Sequence, residues 1–90
     1  MKYIMVALKD CGTQAFLQPQ AVVHKNAMIR ALTDGLRKAE KDERAPDWSR
    51  HPEDFELYTV GEYDAESGVC TSPPGGKPAL IVRLKDLVER

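Results

Sequence analysis

The sequence predicts an α+β domain with element order β-α-β-β-β, one amphipathic helix packed on a three- to four-stranded, mainly antiparallel sheet. Three observations carry this expectation. Lys2 to Lys9 alternates its apolar residues with period two, as a strand does. Asn26 to Glu43 places Met28, Ile29, Leu32, Leu36 and Ala39 along one side at 3.6 residues per turn. After a proline-bearing linker, three short β-prone runs are divided by turns rich in Gly, Pro and Asp. The chain has 90 residues, 42% of them apolar, and a net charge of −1. Folding at this length removes about 60 to 65% of the chain's surface from water, so residues 1–90 are expected to form a single domain with one modest core.

In the first strand Ile4, Val6 and Leu8 fall on one face and Tyr3, Met5 and Ala7 on the other. Apolar residues on both faces place it inside the sheet. Asp10 to Thr13 is a turn cluster, and Ala15 to Pro19 reads as an irregular apolar stretch that tucks Phe16 and Leu17 under the domain edge. Asn26 is the expected helix N-cap, because its amide accepts N–H bonds that the first turn leaves open. The helix back carries Arg30, Asp34, Arg37, Lys41 and Arg44. Residues 44–52 form a linker in which Pro46 and Pro52 bar a continuous helix.

Phe55 to Tyr63 follows as a strand, with Phe55, Leu57 and Tyr63 on one face and Tyr58 and Val60 on the other. Asp64 to Gly68 is a hairpin loop, and Gly68 suits the left-handed position that such a turn requires. Val69 to Thr71 returns as a short strand. Residues 72–78, with three prolines and two glycines, form a mobile loop. Ala79 to Leu84 is the last strand, and Lys85 to Arg90 coils into a turn of helix. One helix covers only one face of such a sheet. The other face meets solvent, a second copy or a ligand, with Tyr3, Tyr58, Val60 and Ile81 as candidates to line it. An exposed apolar strip of this kind points to a homodimer.

Charge is unevenly spread: residues 1–44 sum to +3, residues 45–76 to −6 and residues 77–90 to +2. The longest apolar run, Ala79 to Val82, is far short of the ~20 residues of a bilayer span, and Lys9-Asp10 ends the N-terminal apolar stretch before a signal-peptide core forms. Neither a membrane partner nor a secreted fate is expected. Two cysteines, Cys11 and Cys70, do not make a disulfide scaffold. Gly75-Gly76-Lys77 lies between prolines and has no Ser or Thr after its lysine, so it is no phosphate loop. His24 and His51 sit in separate segments without zinc-site spacing. No metal, no cofactor and no enzymatic activity are therefore expected.

His51-Pro52-Glu53-Asp54-Phe55 is the most distinctive stretch. His51 with Glu53 or Asp54 suits an acid–base pair. The architectural alternative is preferred: Pro52 sets the start of the strand, and the carboxylates bond backbone amides or Arg50. Trp48 reads either as a stacking residue or, preferably, as a lid over the core. Arg30, Arg37, Lys38, Lys41 and Arg44 make a basic row about 20 Å long, able to follow phosphates, although charged helix backs are ordinarily only solvated faces.

Ser49 to Gly68 resembles the signature HPEDFxLYxLGxFDxxxG of the small nonstructural proteins of gokushovirus-type microviruses, which are single-stranded-DNA bacteriophages. Ala15-Phe16-Leu17-Gln18-Pro19, Asn26 and Ile29-Arg30-Ala31-Leu32 are similar to that family's AFxxPF…N…AIRxF segment. The likeness spans residues 2–72. Gln20 stands where an aromatic is common, Leu32 replaces a Phe, the Arg37 to Trp48 region is longer, and residues 72–90 lie outside the likeness.

The resemblance implies a non-virion viral protein of the host cytoplasm, acting in DNA replication or the switch to packaging, and it makes His51 to Phe55 a family hallmark without catalytic residues. The first expectation is a non-enzymatic accessory protein that binds single-stranded DNA weakly through the Arg30 to Arg44 row, helped by stacking on Tyr3 or Tyr58. The alternative is a homodimeric module that binds a host or phage replication protein through its acidic segment 53–66.

Overall fold

The computed structural model describes residues 1–39 and 46–88. Its elements are β1 (Lys2–Asp10), β2 (Ala15–Phe16), β3 (Gln20–Val22), α1 (Lys25–Ala39), α2 (Asp47–Arg50), a 3-10 turn (Pro52–Asp54), β4 (Phe55–Asp64), β5 (Val69–Thr71), a second 3-10 turn (Pro74–Gly76), β6 (Ala79–Arg83) and α3 (Leu84–Val88). The α+β class holds, with an antiparallel sheet of six strands rather than three or four. β1 and β4 pair over their whole length, from Lys2 opposite Asp64 to Asp10 opposite Phe55. Each outer position is filled by two short pieces in succession, β2 and β3 along β1, and β5 and β6 along β4. That division accounts for the larger strand count.

Residues 15–19 therefore differ from the irregular, tucked-in stretch that was expected. Ala15 and Phe16 join the ladder, and the Leu17 N–H donates to the Leu8 carbonyl at 2.8 Å. Phe16 and Leu17 remain 43% and 44% exposed.

α1 begins one residue before the expected cap. The Asn26 N–H donates to Nδ1 of His24 at 3.1 Å, and the Ala27 N–H to the His24 carbonyl. His24 thus satisfies the open N–H groups and Asn26 lies inside the first turn, because an imidazole nitrogen is as able an acceptor as an amide oxygen. α1 is described to Ala39, so the expected continuation to Glu43 lies outside the described residues. Leu32 and Leu36 are buried and Met28 and Ile29 half-buried, as the 3.6-residue spacing predicts. Thr33, a weak helix former, donates its hydroxyl to the Ile29 carbonyl at 2.8 Å.

The linker contains structure after all. α2 occupies Asp47–Arg50 because Pro46 stands just before it and Pro52 just after, where neither interrupts a helical hydrogen bond. The Ser49 hydroxyl donates to the Pro46 carbonyl at 2.7 Å, and Trp48 packs against the core over Gly35 of α1. This is the expected lid. A Cβ at Gly35 would stand 2.4 Å from the indole edge, so glycine is required by the close approach.

The sheet register holds two breaks that the alternation of residues does not announce. Between β4 and β6, Leu57 pairs with Val82 but Tyr58 with Leu80, which leaves Ile81 as an extra residue in β6. The other lies between β1 and β4. Val6 pairs with Thr59 but Met5 pairs with Gly61, which leaves Val60 as an extra residue in β4. Every side chain after Val60 is thereby shifted to the opposite face. Phe55 and Leu57 face α1, whereas Tyr63 lies across from Tyr3 on the other side, correcting the expected grouping of Phe55, Leu57 and Tyr63. Gly61 fits beside the carbonyl of Thr71, which a Cβ would meet at 2.6 Å. The hairpin that follows closes as expected, with Gly68 at φ 75° and its N–H on the Asp64 carbonyl at 2.7 Å.

The core lies between the sheet and the helices: Val6, Leu8, Phe55 and Leu57 from the strands, Leu32 and Leu36 from α1, and Leu84 and Leu87 from α3. Ile81 packs against this cluster, so it does not line the uncovered face. α3 starts at Leu84, one residue earlier than expected, and its two leucines complete the core.

Candidate nucleic-acid interface

Two surfaces carry the residues that the sequence singles out, and the sheet separates them. On the outer side of α1, Arg30, Arg37 and Lys38 are exposed, with Asp34 between them. None of the three makes an ion pair with another described residue. Arg30 and Arg37 are seven residues apart, which places them about 10 Å from one another along the helix axis. Lys41 and Arg44, the remainder of the row, lie outside the described residues.

The second surface is the sheet face turned away from α1. Residues directly opposite in a ladder share a face, so Tyr3 with Tyr63, Ala7 with Tyr58, Lys9 with Glu56 and Phe16, and Glu56 with Arg83 all stand there. The rings of Tyr3 and Tyr63 lie 6.3 Å apart with a tilt of 32°. Phe16 meets Tyr58 edge to face at 5.5 Å. Nζ of Lys9 stands 5.8 Å from the centroids of both Phe16 and Tyr58, within cation–π range. Tyr3 and Tyr58 are thus on the side opposite the α1 row, and the structure does not join them into one site with it.

Glu56 organises the centre of this face. Its Oε1 accepts from the Tyr58 hydroxyl at 3.0 Å and from the Cys11 thiol at 3.4 Å, and its Oε2 accepts from Nε of Arg83 at 3.1 Å. The Tyr58 and Arg83 hydrogen bonds hold the Glu56 carboxyl below its ordinary value. Conversely, Tyr58 is raised by its bond to Glu56. Cys11 is raised by burial and then by Glu56, which keeps it a thiol rather than a nucleophilic thiolate. The spacing of residues in the sequence does not reveal this cluster, since Cys11 and Arg83 are brought to Glu56 by two strand pairings, β1 with β4 and β4 with β6.

His51 stands between α2 and the following 3-10 turn, with Nδ1 3.8 Å from Oε1 of Glu53 and both side chains well exposed. Its backbone is committed: the His51 N–H donates to the Asp47 carbonyl, and its carbonyl accepts from the Asp54 N–H. Pro52 opens the turn, the Asp54 carbonyl takes the Cys11 N–H at 2.8 Å, and Phe55 enters the core. The turn ties the end of β1 to the start of β4, which fits the architectural part expected of Pro52 and Phe55. The Glu53 carboxylate, however, stands beside His51, and among the described residues neither it nor that of Asp54 bonds a backbone amide or Arg50 as expected. A hollow of about 360 Å³ beside the start of α1 contains only Lys25 and Glu62 as charged lining groups. Among the described residues no three His, Cys, Asp or Glu side chains converge as metal ligands, and no helix is long and apolar enough to cross a membrane.

The family model described as Phage ORF5 protein matches residues 3–87. The match runs through β6 and α3, beyond the part of the chain that the HPEDF motif and its neighbours cover. Comparison with curated proteins and with solved structures yields no match.

Proposed function

Since the chain belongs to the Phage ORF5 protein family, we propose that this phage accessory protein is of the gokushovirus type and binds single-stranded DNA weakly and without sequence preference. Its place is the host cytoplasm, in viral DNA replication or in the switch to packaging, and its action is non-enzymatic. The observation that carries the reading is the trio Arg30, Arg37 and Lys38, exposed on a helix whose inner side is anchored by Leu32 and Leu36. Cations held on a rigid helix and lacking described carboxylate partners are free to neutralise phosphates. Lys41 and Arg44 keep the same spacing in the sequence.

The alternative, a homodimeric module that docks a replication protein through residues 53–66, receives less support from the geometry. Asp54, in the turn just before β4, and Glu62, near the far end of that strand, stand about 25 Å apart, and Glu56 between them is engaged by Arg83 and Tyr58. The acidic block therefore does not present one surface.

A titration of labelled oligothymidine tests the proposal. Three phosphate contacts to a single strand should weaken binding about 20-fold between about 50 and 200 mM salt. Arg30→Glu combined with Arg37→Glu should lower the affinity and flatten that dependence. Absence of binding at low salt, or a salt dependence untouched by the double substitution, rejects the reading.

A further inference from the structure

The geometry points to a base-stacking platform for single-stranded DNA on the open sheet face, made by Tyr3 with Tyr63 and Phe16 with Tyr58. The inference rests on the single-stranded-DNA reading above and extends the stacking expected of Tyr3 or Tyr58 to a platform of two ring pairs that includes Tyr63 and Phe16. Unpaired bases expose two π faces to water, and aromatic side chains on a rigid sheet replace their lost stacking partners without regard to sequence. The rings stand in two pairs with centroids 6.3 Å and 5.5 Å apart, Tyr3 and Tyr63 on the neighbouring strands β1 and β4, and Phe16 of β2 meeting Tyr58 of β4 across β1. Four residues of β1 separate the pairs, about 13 Å along the strand. Phe16 is 43% exposed and the three tyrosines are half-buried, so part of each side chain is open to solvent while the rest is held by the sheet.

Charge distinguishes a DNA strand from a second copy of this chain as the occupant. Glu56 is the one carboxylate that the described strands place on this face, and its oxygens are taken by Tyr58, Arg83 and Cys11. Lys9, over two of the rings, has no carboxylate partner among the described residues. A second copy would have to bury that ammonium uncompensated, which is costly. A nucleic acid brings its own anion to it.

The intact chain is titrated with oligothymidine and with an abasic oligomer of equal length, which keeps the phosphates and lacks the bases. Oligothymidine should bind about fivefold or more tightly, and the preference should persist at high salt. Tyr3→Leu with Tyr63→Leu should remove most of the preference while leaving the salt dependence unchanged, and Tyr3→Phe with Tyr63→Phe should retain it. Equal affinity for the two oligomers overturns the platform and leaves the phosphate reading intact. No binding to either at low salt rejects the phosphate reading itself. A chain that sediments as a dimer, and as a monomer once Tyr3 and Tyr63 are leucines, assigns the face to a second copy and overturns the platform.

Discussion

Glu56 sits among seven acidic residues between Asp47 and Glu66, and nothing in its neighbours along the chain sets it apart. Its role comes from three partners that arrive from β4 itself, from β6 and from the end of β1. Because these donors favour the ionised form, its folded value lies below the ordinary 4.5. The contribution to stability is therefore complete above about that pH and is lost as the pH falls through the folded value. Glu56→Gln should cost about 1 to 2 kcal/mol at neutral pH, given that the carboxylate is only partly exposed. Urea unfolding at pH 7 and again near pH 3 should show the gap between the variant and the parent closing in acid. An equal gap at both pH values would mean that the charge of Glu56 is not what the three donors hold. Tyr58, raised chiefly by the same carboxylate, and Cys11, raised by burial and then by that carboxylate, are the counterparts of this effect.

Among the elements, α1 and β1 were legible because their patterns are local. A repeat of 3.6 or 2.0 residues tells which side of a helix or strand is buried, and Leu32, Leu36, Val6 and Leu8 lie where those repeats put them. Tyr63 was misplaced because a bulge adds one residue to β4 without altering its composition, so alternation counted through Val60 arrives on the wrong face. α2 was hidden because prolines that exclude a long helix still allow one turn between them. Gly35 shows how elements meet: in isolation a mid-helix glycine is a defect of about 1 kcal/mol relative to alanine, but here it admits the indole of Trp48. Gly35→Ala should therefore destabilise the chain, because overpacking of about 1 to 3 kcal/mol outweighs the gain in helix propensity. In a Trp48→Ala background the same substitution should stabilise by up to about 1 kcal/mol. A double-mutant cycle followed by denaturant unfolding measures the reversal, and additive effects would exclude the contact.

At the scale of the whole molecule, the C-terminal segment carries more weight than its sequence suggests. Leu84 is fully buried and Leu87 nearly so, and they fill the core beside the turn that holds His51 to Phe55. Leu84→Ala should cost about 2 to 5 kcal/mol, a large part of the 5 to 15 kcal/mol typical of a domain. Val88→Ala, at an exposed position, should change stability by no more than about 0.5 kcal/mol. Thermal unfolding of the two variants checks the contrast. The larger consequence of the packing is that the cations of α1 and the rings of the sheet face point away from each other, across a molecule 23 to 24 Å through its two shorter axes. A strand of DNA that touches both surfaces has to turn around an edge of the sheet.

The sequence by itself determined the apolar side of α1 and of β1, that a long amphipathic helix would pack on a largely antiparallel sheet, and that cations would line the outer side of that helix. These are consequences of repeats a few residues long, set by backbone geometry that every chain shares. Only the tertiary structure decided that Tyr63 joins Tyr3, that Cys11 and Arg83 converge on Glu56, and that the rings lie behind the helix rather than beside it. Each of those outcomes depends on strand register, and the first also on the one residue inserted in β4. Register is settled by the summed packing of distant segments, which no short stretch of the chain encodes.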